Sequence, residues 1–360
     1  MRRTPGGSVS DNGAVIDLRS DTATRPSAGM RRAMAEAVVG DEQRREDPTV
    51  LELERRTAEL LGQEEAVYLP TASMANQIAV RILSRPGDEL LAEENSHLFL
   101  SEQGGAAAHS GLVTRHLRGV AGRFSAEQVR AAFREETTHS SRTRVVAIEN
   151  THNSSGGRIW PLAEVDAVVT AAKELGLLAH LDGARLLNAA VATGVAPAEY
   201  GRRFATVTLC LSKGLGCPLG AVLATSADRA WDARRGKHLF GGAMRQAGVV
   251  AAAGVYALDH NVERLAEDHA RARRLAEGLH AAGVAVDLER VETNFVQVDV
   301  GPLGLSKAEA IARLADEGVG LSATAHPTLL RAVTHLDVDD EAIDRALDLI
   351  PRALGVLARV

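Results

Sequence analysis

Two apolar, β-like runs in this chain each end on a charged residue. Leu177-Leu178-Ala179-His180-Leu181 runs into Asp182, within the string His180-Leu181-Asp182-Gly183-Ala184-Arg185. Val207-Thr208-Leu209-Cys210-Leu211 runs into Lys213, within Leu209-Cys210-Leu211-Ser212-Lys213-Gly214. Strand-like and helical patterns alternate through most of the length, which reads as an α/β fold built on a mostly parallel sheet. The first strand delivers a carboxylate where it ends, and the second delivers an amine.

The pattern predicts a helix over 51–61 with Gly62 closing it, a strand over 65–69, a helix over 71–83 and a strand over 89–92. A strand over 144–148, a helix over 161–175 and a strand over 221–224 complete the large unit. From about Gly248 the character changes. A long helical stretch over 249–280 leads into strands at 284–288, 295–298 and 330–334 and helices at 307–317 and from Asp340. These predict a smaller C-terminal α+β domain. The expected division is a disordered tail at 1–14, a large domain over 15–257 and a small domain over 258–360.

A chain of 360 residues can bury a large core. The net charge of −6 and an aromatic content of only 3% give no basic footprint and few stacking platforms, so nucleic acid is not an expected partner. No apolar run has the length of a membrane span. The N-terminal segment lacks the apolar stretch of a signal peptide. The two cysteines, Cys210 and Cys217, are too few for a disulfide framework. A reducing, cytoplasmic setting is expected, with Cys210 a small core residue.

A carboxylate at one strand end and a lysine at another are the pair that pyridoxal phosphate (PLP) requires. The amine holds the aldehyde as a Schiff base, and the carboxylate keeps the pyridine nitrogen protonated so that the ring accepts electrons. Thr71-Ala72-Ser73 lies where a strand gives way to a helix, a place that suits a phosphate, although Thr71 or Ser73 could equally be only an N-cap. His97 follows a short strand and could stack on a flat ring or move a proton; His139 and His152 are similar candidates, and a lone histidine in a loop is more often solvated. Arg185 lies three residues after Asp182, where a guanidinium could grip a carboxylate. No cluster has convincing metal-ligand spacing, so no metal is expected.

These strings belong to a longer series. It includes Asp17-Leu18-Arg19-Ser20-Asp21-Thr22, Glu46-Asp47-Pro48-Thr49, Met74-Ala75-Asn76-Gln77 and Glu102-Gln103-Gly104-Gly105. It continues with Glu149-Asn150-Thr151-His152-Asn153, Gly241–Gly248 and Val333-Thr334-His335-Leu336-Asp337. In content and order the series resembles the low-specificity L-threonine aldolases, in the β-eliminating lyase group of fold-type-I PLP enzymes. The resemblance implies PLP as cofactor, with Lys213 carrying it, Asp182 on the ring nitrogen and His97 on the ring face. It implies Ala72 and Ser73 at the phosphate and Arg245 near the cofactor. Ser20, Arg185 and Arg331 would hold the substrate carboxylate, and His139 would lie near the substrate hydroxyl. It also implies a homodimer or homotetramer with shared sites.

There are departures. Arg44 stands where the family has a tyrosine, and Thr71-Ala72-Ser73 replaces Ser-Gly-Thr. Cys217 and Ala243 replace an alanine and a glycine, and Leu100 puts no polar group near His97. The implied activity is cleavage of an L-β-hydroxy-α-amino acid to glycine and an aldehyde, with His97 or His139 as base. Racemisation, β-elimination or transaldol transfer on the same scaffold is the alternative. A PLP-binding protein without activity and a cofactor-free α/β protein are the remaining readings.

Overall fold

The computed structural model describes residues 15–356, so the expected tail at 1–14 lies outside them. Seven strands form the main sheet: β1 (Glu65–Leu69), β2 (Glu89–Glu93), β3 (Val113–Leu117), β4 (Thr143–Glu149), β5 (Leu178–Asp182), β6 (Thr206–Cys210) and β7 (Ala221–Thr225). Their order is β1-β7-β6-β5-β4-β2-β3. All run in one direction except β7, which is antiparallel to both neighbours. Helices cover both faces, and every residue of β6 and β7 is buried. Such strands carry unbroken apolar runs rather than alternation, because neither face meets water.

Local chemistry sets the helix ends. Asp47 accepts the Val50 N–H, Pro48 occupies the first turn of the Pro48–Leu61 helix, and Gly62 closes it at φ +64°. Thr71 accepts the Met74 N–H to start the Ala72–Ile82 helix directly after β1. At the end of β5 a glycine is required: a Cβ on Gly183 would sit 2.7 Å from the Thr208 carbonyl oxygen of β6. Without a side chain there, the Asp182 and Lys213 strand ends can lie against each other.

The second sheet is antiparallel and four-stranded, with β8 (Ala285–Val286), β9 (Phe295–Asp299), β10 (Ser322–Ala323) and β11 (Leu329–Val333) in the order β10-β11-β9-β8. The Leu265–Ala281, Lys307–Asp316 and Asp340–Ala353 helices pack with it. Two expectations need correction here. The stretch over 249–280 is two helices, Gly248–His260 and Leu265–Ala281, parted where the Asn261 amide bonds the Leu215 carbonyl at 2.8 Å. The first packs on the Pro48–Leu61 helix, so a boundary at 257/258 would cut a large-domain helix. Ile16 and Leu18 join the small-domain core, because Ile16–Asp17 pairs with Val319–Gly320 and Leu18 accepts the Val333 N–H. The chain therefore enters through the small unit before building the large one.

Candidate active site

The C-terminal ends of the parallel strands all face one side of the main sheet, where open α/β sheets place their ligand sites. β1 leads to Thr71, β2 to His97, β4 ends on Glu149, β5 ends on Asp182 and β6 leads to Lys213.

Asp182 is the best-held group. It is 2% exposed. Its Oδ1 accepts the Ala184 N–H at 3.1 Å and its Oδ2 accepts Asn76 Nδ2 at 2.8 Å. Asn76 is itself oriented: its Oδ1 lies 3.2 Å from His180 Nε2, and its amide nitrogen also bonds Glu102 Oε1 at 2.9 Å. Burial drops the His180 pKa to about 4, so that ring is neutral. Its Nε2 carries the proton towards Asn76, and its Nδ1 accepts from Thr206 Oγ1 at 2.9 Å. Burial opposes the charge on Asp182, but the His97 and Lys213 cations and the Asn76 bond outweigh it and hold the carboxyl below its ordinary range.

Lys213 is half-buried, and its ammonium has no hydrogen bond or ion pair among the described residues. Its carbonyl accepts Thr24 Oγ1 at 2.9 Å, which docks the N-terminal segment on the lysine loop. An unpartnered amine close enough to Asp182 to bias its ionisation is the arrangement that covalent capture of an aldehyde needs. Lys237, by contrast, is buried in an ion pair with Glu42.

His97 opens the short His97–Leu100 helix. Its Nδ1 lies 2.8 Å from Glu102 Oε1, leaving Nε2 free. Burial alone would lower its pKa, but the Glu102 bond and the charges of Asp182 and Glu149 raise it. Nitrogen and oxygen atoms of His97, Glu102 and Asp182 lie within 4.8 Å of one another. Amide donors from Asn76 and Gln77 point at these carboxylates, which makes the group a hydrogen-bond network rather than a cation cage.

The other end of the site is built differently. Arg185 donates Nε and a terminal nitrogen to the two oxygens of Asp21, both at 2.7 Å. Burial works against Asp21, but Arg185 and Lys213 hold its carboxyl far below the usual range. Arg331, on β11, donates to Asn153 Oδ1 at 3.0 Å and has no acidic partner among the described residues; its Nε is buried without an acceptor. Arg185 reaches the same Asn153 oxygen at 3.5 Å, and both guanidinium groups lie over the Phe295 ring. Burial and the Arg185 charge lower the Arg331 pKa. The pair is short of one anion.

A beta-eliminating lyase family profile matches residues 17–301. This chain belongs to the beta-eliminating lyase family. It is 39% identical over 331 residues to a low-specificity L-threonine aldolase of Escherichia coli K12, covering 91% of this chain and 96% of that one. It is 33% identical over 349 residues to the alanine racemase TOXG of Cochliobolus carbonum, covering 93% and 87%. Its fold is that of a Leishmania major threonine aldolase structure at TM-score 0.81 and 20% identity, with 94% and 99% coverage.

Within this frame the expected site residues divide. Lys213, Asp182, His97, Arg185 and Arg331 converge as described. Ala72 and Ser73 form the first turn of the Ala72–Ile82 helix, whose leading N–H groups face outward from its start. Ser20 Oγ accepts from Thr22 N and lies on the segment docked beside Lys213. Arg245 is on a loop that crosses the Thr71 turn, where Gly242 touches Met74 and Pro70, but its guanidinium turns outward to Gln43 Oε1 at 2.9 Å. His139 stands apart from these groups within one chain. It is exposed in the turn before β4, at the N-terminal edge of a parallel sheet whose C-terminal edge carries Asp182, so one chain does not bring it to the site. Arg44 is exposed and 3.7 Å from Asp41. Asp21, Asn76, Glu102, Glu149 and Asn153 carry no individual signal in the sequence beyond their motifs, and their roles come from contacts made in the fold.

Proposed function

We propose that this chain is a PLP-dependent aldolase that cleaves an L-β-hydroxy-α-amino acid of the threonine or allo-threonine type to glycine and an aldehyde. The observation that carries this reading is the unpartnered Lys213 amine beside the buried, charged Asp182, in a chain whose relatives include threonine aldolases. The residues fit PLP. Asp182 keeps lone pairs for a ring N–H after accepting Ala184 and Asn76, and the Ala72–Ile82 helix turns free N–H groups to the phosphate position. Bound PLP supplies an electron sink for the pair released as the Cα–Cβ bond breaks.

The chain's own groups do the rest. Lys213 holds the aldehyde carbon through its amine. Asp182 keeps the proton on the ring nitrogen. Arg331, with Arg185 behind it, supplies the charge that the substrate carboxylate completes and so orients the bonds at Cα. His97 Nε2 receives the β-hydroxyl proton, while Glu102 holds Nδ1 and raises the basicity of the ring.

A homodimer or homotetramer with shared sites is carried by the family resemblance alone. Both cysteines are free and buried, which supports a reducing, cytoplasmic setting. The second reading, amino-acid racemisation, draws on the similarity to an alanine racemase. Incubating the purified protein with PLP and, separately, a panel of β-hydroxy amino acids and L-alanine tests the choice. Glycine with an equal amount of aldehyde is expected. Inversion of L-alanine without glycine formation would overturn the aldolase reading.

A further inference from the structure

Glu149 has no assigned part in the reading above, yet it touches both halves of the site. It closes β4 and its side chain is 5% exposed. Its Oε2 accepts the backbone N–H of His97 at 2.7 Å, and its Oε1 accepts the backbone N–H of Asn153 at 2.8 Å. In the PLP reading His97 would lie on the ring face; Asn153 carries the oxygen shared by Arg331 and Arg185. One carboxylate therefore fixes the position of the ring-face histidine relative to the residue that holds the carboxylate clamp.

The carboxylate is itself backed. His152 is fully buried, with Nε2 3.2 Å from Glu93 Oε2 and 3.8 Å from Glu149 Oε2. Its Nδ1 accepts the Ser155 N–H at 3.3 Å, which leaves the ring proton on Nε2, facing the two carboxylates at ion-pair distance without a hydrogen bond to either. Glu93 in turn accepts the Asn95 N–H, so the turn before His97 and the turn containing Asn153 are tied to one buried cluster. A site of this kind works only if the bond to be broken stands perpendicular to the ring, and that angle depends on the clamp's position relative to the ring face. Misplacement by about 1 Å costs on the order of 100-fold in rate.

We propose that Glu149, backed by His152, is a positioning residue that registers the His97 ring face against the Asn153–Arg331 clamp and thereby sets which Cα bond is activated. This rests on the PLP reading. The test uses holoenzyme and glycine, and so requires no cleavage. The wild type is expected to exchange one of the two glycine Cα hydrogens with solvent in strong preference to the other, measured by NMR in D2O. Glu149→Gln turns an amide N–H against a backbone N–H. It is expected to keep its PLP and thermal midpoint, raise the glycine Kd about tenfold and lower the preference between the two hydrogens at least about fivefold. A stably folded Glu149→Gln that keeps the wild-type Kd and preference overturns the proposal.

Asn153→Ala keeps the backbone N–H but removes the oxygen shared by the two arginines. It is expected to raise the glycine Kd with the same direction of change in preference. If Glu149→Gln does not fold, Asn153→Ala decides: an unchanged Kd and preference there overturn the coupling. A wild type that binds PLP and exchanges glycine hydrogens but cleaves nothing would sink the aldolase reading and leave this test intact.

Discussion

The two ends of the site differ in how complete they are. Around Asp182 the network of Asn76, His180, Thr206, Glu102 and Gln77 is nearly closed: its charged groups are all bonded within the chain, and of its side-chain atoms Gln77 Oε1 alone is buried without a donor among the described residues. Around Arg331 the charges do not balance. Two guanidinium groups stack on one phenyl ring with a single carboxylate, Asp21, between them, and Arg331 Nε has no acceptor. A buried network with its charges paired is rigid, whereas an unpaired buried cation waits for an anion. The end proposed for the cofactor is prebuilt on strand ends of one sheet. The end proposed for the substrate is assembled from β11, the turn after β4 and the entering N-terminal segment, and in that reading the substrate carboxylate supplies the missing anion.

The most damaging change to the prebuilt end is Lys213→Ala. It removes the covalent anchor, so visible absorption from bound PLP should shift or disappear and glycine production should fall below detection. Borohydride reduction of the wild type followed by peptide mapping should place the pyridoxyl group on Lys213. A label on Lys173 or on Lys237, already paired with Glu42, would refute the assignment.

At the open end, the two arginines should separate. Arg331→Ala removes a cation with no acidic partner. It should raise KM for the amino acid by about 10- to 100-fold, from a charge-assisted pair worth roughly 1.5–3 kcal/mol, while PLP content and stability stay near wild type. Arg185→Ala leaves Asp21 buried without its ion-pair partner, with only the Asn294 amide at 3.4 Å, so it should also destabilise the fold by about 3–5 kcal/mol in urea unfolding. Equal behaviour of the two variants would break the comparison.

Much of this layout was legible in the sequence because it sits where regular elements end. The strand runs over 177–181 and 207–211 fall within a residue of β5 and β6, and the apolar-to-charged switch marks the sheet edge that carries chemistry. β3 was not legible. It is an edge strand whose residues Val113 to His116 are largely exposed, so no apolar run marks it. The placement of Ile16 and Leu18 in the small core depends on pairing with residues some three hundred positions later, which no local pattern encodes. The same holds for Asp21 and Arg185, whose contact exists only once both units have folded. His139 shows the converse: a residue can fit a pattern along the chain and still fold to the opposite edge of the sheet.

That Asp21–Arg185 contact gives the open end a pH signature. The Asp21 carboxyl is held well below its ordinary value of 3.8, so it binds fewer protons folded than unfolded. Its contribution to stability is complete above that ordinary value and is lost as pH falls below it towards the folded pKa. Urea midpoints of the apoprotein measured from pH 6 to pH 3 should drop at the acid end. Asp21→Asn should be less stable at pH 6 and lose less on acidification. Parallel curves would show that the contact contributes no acid sensitivity.

Arg44 offers the smallest expected effect and the sharpest check on where the open end stops. It stands in place of an expected tyrosine, and a cation facing the substrate would favour a second acidic group on Cβ over the plain methyl of threonine. Within one chain, however, its side chain is 75% exposed and its nearest charge is Asp41 at 3.7 Å, an arrangement worth little. Arg44→Tyr should therefore change stability by no more than about 0.5 kcal/mol. The ratio of kcat/KM for β-hydroxyaspartate to that for threonine should stay within about twofold of wild type. A larger shift towards threonine would mean that Arg44 reaches a site in a neighbouring copy. The open end would then carry a third cation, supplied across a subunit contact, and its charge imbalance would be greater than one chain reveals.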